Sequence, residues 1–323
     1  MHPPAAPMPA SRRPVCLLLL AAALACGTSV PASTGPELRV ARPGPHVRMA
    51  VIGDYGEAGP AEAAVAELVA SWSPELVITT GDNNYEVGGA STIDENIGQY
   101  YHAFIAPYVG KLGTGAAENR FFPSLGNHDW RTPGARPYLE YFTLPGNERY
   151  YELVWGPLHL FALDSDPHEP DGIDVESTQA QWLQGRLAAS TSPWQLVYMH
   201  HPPYSSGDHG STPDLQWPFA EWGADVVLSG HDHHYERLER DGIVYFVNGL
   251  GGNPDRYELR TELPGSVVRF NAEHGAMLVE ATPERLELRF VTAAGREIDS
   301  RVLEASPPAA PPVEAADDDG PSP

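Results

Sequence analysis

The chain has 323 residues, 42% of them apolar, with 20 lysines and arginines against 43 aspartates and glutamates. That is enough apolar material for one large α/β domain or two small ones. A net charge of −23 repels nucleic acid and anionic membrane at long range, so an anionic substrate needs a local positive centre, and bound metal ions are the obvious means.

Residues 1–26 have the pattern of an export leader. Arg12-Arg13 form a basic start, read as an ordinary n-region rather than a twin-arginine signal. Val15 to Ala25 form an 11-residue apolar core, too short to span a bilayer permanently. Ala23-Leu24-Ala25-Cys26-Gly27 resembles the lipobox of bacterial lipoproteins, which implies a lipid anchor at Cys26 and a place in the bacterial cell envelope. The alternative is ordinary cleavage nearby and an extracellular protein. Cys16 and Cys26 are the two cysteines, so the rest of the chain has no disulfide and no thiolate ligand. Of the 33 prolines, 15 lie in residues 1–46 and 306–323. The first region ends in a flexible tether at 27–46, and the second is an acidic, proline-rich tail predicted to be disordered. Between them, 47–305 reads as one globular domain.

That domain opens with Val47 to Ile52, a buried-strand pattern, followed by Gly53-Asp54-Tyr55-Gly56. Pro60 to Trp72 reads as a helix, with Ala61, Val65, Leu68 and Val69 on one face. Glu75 to Thr80 is a second strand, ending in Gly81-Asp82-Asn83-Asn84-Tyr85. This βαβ unit sets Asp54 and Asp82 at the carboxyl edge of neighbouring parallel strands. Helical material follows from Ile93 to Val109, then a strand from Phe121 to Leu125 ending in Gly126-Asn127-His128-Asp129. Tyr150 to Val154 and Leu158 to Leu163 read as paired strands, and Thr178 to Ala189 as an amphipathic helix. Gln195 to Met199 ends in His200-His201-Pro202-Pro203, and Ala224 to Ser229 in Gly230-His231-Asp232-His233. Ile243 to Val247, Ala276 to Glu280 and Leu286 to Val291 are taken as a second sheet.

Five apolar strands thus each run out into Asp, Asn or His. The candidate ligands are Asp54, Asp82, Tyr85, Asn127, His200, His231 and His233. Hydrolysis of a phosphate ester needs charge neutralised on the phosphoryl oxygens and a hydroxide made near neutral pH. Two cations about 3.5–4 Å apart supply both. A bridging carboxylate holds such a pair together, and Asp82 is the candidate. Oxygen ligands with imidazole suit iron, zinc or manganese. Each adjoining a candidate ligand, the His201 and His234 side chains are expected to point the other way.

Taken in order, the five blocks ending at Gly56, Tyr85, Asp129, His200 and His233 resemble the signature of the purple acid phosphatases, within the calcineurin-like metallophosphoesterases. The resemblance spans about residues 47–250. It implies an α/β fold, a four-layer α/β/β/α sandwich of two mixed sheets. Most relatives carry His where Gly56 stands; purple acid phosphatases have Gly there, and Tyr at the place of Tyr85 supplies the lost ligand. The resemblance further implies that Asp54, Tyr85 and His233 bind Fe(III), that Asn127, His200 and His231 bind a divalent Fe, Zn or Mn ion, and that Asp82 bridges. A hydroxide held on the metals would attack phosphorus in line. His128 would stand beside the substrate, and His209 would contact phosphate and protonate the leaving group. One or other of these histidines would stay protonated in acid. The expected protein is an exported, monomeric phosphomonoesterase acting on a small phosphoester, with no nucleic-acid partner and membrane contact only through Cys26. A phosphodiesterase or a nucleotide or phospholipid phosphohydrolase with the same metals is the alternative among enzymes. An exported non-catalytic binding protein on the same fold is the alternative of another class.

Overall fold

The computed structural model of the protein describes residues 44–305. The leader at 1–26, nearly all of the tether and the tail at 306–323 lie outside the described residues. The strands, in chain order, are β1 (Val47–Ile52), β2 (Leu76–Thr79), β3 (Phe121–Pro123), β4 (Tyr151–Trp155), β5 (Leu158–Ala162), β6 (Trp194–Tyr198) and β7 (Val226–Ser229). They continue with β8 (Tyr235–Arg240), β9 (Ile243–Asn248), β10 (Ser266–Phe270), β11 (Gly275–Ala281), β12 (Arg285–Thr292) and β13 (Glu297–Glu304). One sheet runs β13-β12-β11-β1-β2-β3 and the other β10-β8-β9-β7-β6-β5-β4. Both are mixed: β1, β2 and β3 are parallel, as are β5, β6, β7 and β9, and the rest are antiparallel. Helices cover the outer faces, so the architecture is the expected four-layer sandwich.

The unbroken apolar runs follow from burial on both faces. In the second sheet, Leu160, Leu196, Val226 and Leu228 point into the core between the sheets. Their neighbours Phe161, Val197 and Val227 point outward, against Leu183 and Leu187 of the Thr178–Ala189 helix. Polar handles on buried aromatics then tie one sheet to the other. Tyr151 donates its hydroxyl to the Pro123 carbonyl (2.6 Å), Tyr198 to that of Phe122 (3.2 Å), and the Trp194 indole N–H to that of Thr282 (2.7 Å). On the opposite flank, Arg237 of β8 grips Asp299 of β13 through Nε at 2.7 Å and Nη2 at 3.2 Å.

Three expectations change. Ile243–Asn248, Gly275–Ala281 and Arg285–Thr292 do not form a sheet of their own: β9 lies parallel to β7, whereas β11 pairs with β1 and β12 with β11. A strand's periodicity says which face is buried, not which strand lies beside it. The helical stretch expected to reach Val109 ends at Phe104, because Ile105 turns extended ahead of Ala106-Pro107, where proline disfavours helix in the preceding residue. The buried face of the Pro60–Ser71 helix carries Glu62 beside Val65 and Val69, with Ala61 and Leu68 only partly covered.

Glu62 is fully buried, and neither carboxylate oxygen has a hydrogen-bond partner among the described residues. Burial, with a smaller push from Glu57, holds its carboxyl well above the ordinary range. Below about pH 4 the group is protonated in folded and unfolded chains alike and adds no pH-dependent cost. As pH rises, the unfolded chain ionises first, and stability is lost until the folded-state pKa is reached. Glu62→Gln is therefore expected to lose less stability than the parent between about pH 4 and pH 7, by roughly 1–3 kcal/mol. Urea midpoints at the two pH values measure this, and parallel pH dependence would refute it.

Candidate metal centre

Every candidate ligand sits just past the C-terminal end of a strand, and the turns there are unusual. Asp54 (φ 55°), Asp82 (φ 51°) and His231 (φ 69°) all adopt left-handed backbone. That conformation costs an L-residue about 1–2 kcal/mol and clusters at functional sites. Each turn is held by a neighbouring one. The Asp54 N–H donates to the Gly81 carbonyl (3.1 Å), the Gly230 N–H to the His200 carbonyl (2.9 Å), and the His231 N–H to both Asp54 carboxylate oxygens (3.1 and 2.9 Å). Gly81, itself at φ +87°, has the His200 ring 2.7 Å from where its Cβ would stand, so only glycine lets these two turns meet.

The side chains gather into two groups. In the first, Tyr85 Oη lies 3.3 Å from Asp54 Oδ1 and 3.2 Å from His233 Nε2, which is 3.4 Å from Asp54 Oδ1. In the second, His200 Nε2 lies 2.9 Å from Asn127 Oδ1 and 3.1 Å from His231 Nδ1. Asp82 belongs to both. Its Oδ2 is 3.4 Å from His200 Nε2, and its charge bears directly on Tyr85. Donor atoms of Asp54, Asp82 and His200 lie within 4.8 Å of one another, a candidate metal-binding group.

The donor chemistry fits cations. A neutral imidazole has one N–H, and His200 spends it on the Thr80 carbonyl through Nδ1 (2.9 Å). Nε2 is then a bare lone pair facing Asn127 Oδ1, another acceptor. A second proton is no remedy, because burial, with the neighbouring imidazoles, holds the His200 pKa well below 6.5. His233 is built alike, with Nδ1 on the Asp255 carbonyl (2.7 Å) and Nε2 turned inward. Asp54 and Asp82 are buried, and among the described residues neither is paired with lysine or arginine. Burial, then Asp54 and Asp129, raise the Asp82 pKa, while burial, Asp82 and Asp54 push the Tyr85 phenol well above 10. A cation shared among these groups reverses all of these penalties.

The exchange of Gly56 for an imidazole has a steric counterpart. Backbone atoms of Asn83 and Asn84 occupy the space that a Cβ at Gly56 would need, so no side chain fits there. In return the Gly56 carbonyl accepts from the Tyr85 N–H (2.8 Å), which fixes the loop that delivers the phenol.

His128 and His209 flank the two groups. The His128 ring packs against Tyr85 (4.3 Å between centroids), and its Nδ1 lies 2.8 Å from the Glu86 carbonyl, which it must donate to. Burial, then Arg131, lowers its pKa below 6.5, which works against the expectation that it stays protonated in acid. His209, at the exposed rim, stacks on His231 (4.2 Å, 26° between planes).

Several residues here were given no role from the sequence. Buried Asp232 accepts from the N–H groups of His209 (2.8 Å) and Gly210 (3.2 Å) and from the Ser205 hydroxyl (2.5 Å). Buried Glu236 takes both the Ser206 N–H (2.7 Å) and its hydroxyl (2.6 Å). Together they hold the loop that carries His209. Asp129, pushed up to about 6 by burial, binds the Asn83 amide (2.8 Å) and the Gly126 N–H (2.9 Å), joining the second and third turns. The signal would have been charge beside a ligand with no solvent-facing pattern. The expectation for His201 is also corrected: its ring does not point away but lies 4.4 Å from that of His231. Strand alternation had already ended at Tyr198.

A family profile described as Calcineurin-like phosphoesterase matches residues 47–235. Tartrate-resistant acid phosphatase type 5 of Mus musculus is 24% identical over 311 residues, covering 82% of this chain and 92% of its own. Purple acid phosphatase 22 of Arabidopsis thaliana is 27% identical over 240 residues, covering 68% of this chain and 54% of its own. Among solved structures, purple acid phosphatase PPD1 from yellow lupin (Lupinus luteus) seeds matches with a TM-score of 0.64 at 18% identity, over 80% of this chain and 54% of that one. GAP50, the anchor in the inner membrane complex of Plasmodium, matches with a TM-score of 0.63 at 16% identity, over 81% of this chain and 90% of that one. At such identities the structural likenesses speak for the fold alone. Since the profile covers more than half of its length, this chain belongs to the calcineurin-like phosphoesterases, as a metallophosphoesterase of the purple acid phosphatase-like kind.

Proposed function

We propose that the protein is an exported phosphomonoesterase of the acid phosphatase type, with Fe(III) held by Asp54, Tyr85 and His233, and a divalent Fe, Zn or Mn ion held by Asn127, His200 and His231. Asp82 bridges them. The observation that carries this reading is the pairing of two three-residue donor groups around Asp82, with a phenol in one of them. Bound there, the cations supply Lewis acidity and an activated water at neutral or acid pH. The same reading takes residues 1–26 as a leader with a lipid on Cys26, and the working form as a monomer acting on small phosphoesters.

The chain's own residues have distinct tasks. His128, with Nδ1–H spent on the Glu86 carbonyl, presents Nε2 as an acceptor and orients the proton of a water or of a phosphoryl hydroxyl. His209 is the leaving-group acid: one ring nitrogen passes its proton to the ester oxygen as the bond to phosphorus breaks. Asp232 keeps its ring over the second donor group.

The test begins with the visible spectrum and metal content of the native protein. Two metals per chain and a tyrosinate-to-iron band that disappears in Tyr85→Phe are expected. Absence of the band in protein holding two metals would remove Fe(III) and Tyr85 from the account. Turnover should be far faster on 4-nitrophenyl phosphate than on bis(4-nitrophenyl) phosphate. The reverse order would make the enzyme a diesterase, and no turnover of either would favour a binding protein.

His209→Ala should slow alkyl phosphates, whose leaving groups need a proton, by about 100-fold or more. Nitrophenyl phosphate, which leaves as a stable anion, should slow much less. Equal losses on the two esters would remove His209 as the acid.

A further inference from the structure

His201 follows His200 directly, yet both rings turn toward His231. Their centroids lie 5.0 Å from each other, and that of His201 lies 4.4 Å from His231. Ring nitrogens of His200, His201 and His231 lie within 4.8 Å of one another. A third imidazole thus stands beside the second donor group, and the reading above gives it no task.

Its protonation pattern follows from Ser165. This serine is buried, and its hydroxyl has two partners, both in His201: it accepts from the backbone N–H (2.8 Å) and lies 3.0 Å from Nδ1. A buried hydroxyl must place its own proton, and Nδ1 is the acceptor on hand. Nδ1 is therefore the lone-pair nitrogen of the neutral ring, and Nε2 carries the hydrogen. Nε2 has no hydrogen-bond partner among the described residues, and it is not sealed from solvent. A nitrogen that keeps its hydrogen is no metal ligand. It is a donor, held by a clamped ring, at the edge of a site built for anions.

We propose that His201 is a further substrate-contacting residue, whose Nε2–H binds a phosphoryl oxygen beside the His200–His231 pair. The proposal rests on the phosphoesterase reading of the site but not on turnover. No bond is made or broken by His201: it holds the tetrahedral phosphoryl group in the bound ester and in the phosphate product alike. Loss of the contact should therefore raise KM and weaken phosphate binding more than it lowers kcat.

The test uses the full metal-loaded chain with inorganic phosphate as the probe, its dissociation constant read by calorimetry and its metals counted. His201→Ala is expected to weaken phosphate roughly 10-fold or more while two metals remain bound. His201→Phe keeps a ring against His231 and removes only the nitrogens, so it should weaken phosphate by a similar factor even where the alanine variant folds poorly. His201→Gln, whose amide nitrogen reaches about as far as Nε2, should recover much of the loss. Unchanged phosphate affinity in His201→Phe overturns the proposal. So does the loss of one metal per chain in either variant, which would make His201 a ligand, and so does a parent protein that binds no phosphate. A parent that binds phosphate through His201 yet hydrolyses no phosphoester would leave this contact standing and sink the phosphatase reading instead.

Discussion

Two carboxylates and a phenol, Asp54, Asp82 and Tyr85, are buried in one hollow, and among the described residues no lysine or arginine is paired with them. Leaving such groups ionised in a low-dielectric interior costs several kcal/mol each unless positive charge is supplied. Every other feature of the hollow answers that demand. Carbonyls of Thr80 and Asp255 take the outer nitrogens of His200 and His233, which turns the inner nitrogens into lone pairs. Three of the candidate ligands, Asp54, Asp82 and His231, sit in left-handed turns. The geometry is one that the protein alone does not stabilise.

The donors are also divided between the sheets. Asp54, Asp82, Tyr85 and Asn127 follow β1, β2 and β3, whereas His200, His231 and His233 follow β6 and β7. Neither group of three comes from a single sheet. A cation held there would draw together the carboxyl edges of both sheets, at the end where Asp54, Asp82 and His231 adopt left-handed backbone. Binding and folding are linked to that extent, since a ligand that binds only the folded form stabilises it.

Much of this was legible beforehand because the strands that matter are short apolar runs ending abruptly in a candidate ligand, most often after a glycine. Asp54, Asp82, Asn127 and His231 each follow such a glycine, and His200 directly follows the apolar run at Met199. Other parts left little trace. β8, with Glu236, Arg237, Glu239 and Arg240, and β13, with Glu297, Asp299 and Arg301, look like solvated loops by composition. They are strands because their charges pair across the sheets, Arg237 with Asp299 above all. Asp232 and Glu236 were hidden for a similar reason, since a buried carboxylate that holds a loop has no periodicity. His201 was misread because it lies three residues past Tyr198, where the strand and its alternation have already ended.

β3 is three residues long and lies at the rim of its sheet. The Arg120 carbonyl accepts from Val77 and the Ser124 N–H donates to Thr79 of β2, so Phe121 and Pro123 present their backbone groups to the outside. The Phe121 carbonyl is taken by the Asn119 side chain (3.0 Å), and that of Pro123 by the hydroxyls of Tyr138 (2.7 Å) and Tyr151 (2.6 Å). Proline has no N–H to offer. A second polypeptide trying to add itself along this margin would find one amide hydrogen and no unclaimed acceptor. The rim next to the Asn127 turn is thereby closed to strand-by-strand aggregation, and its side chains stay in the core.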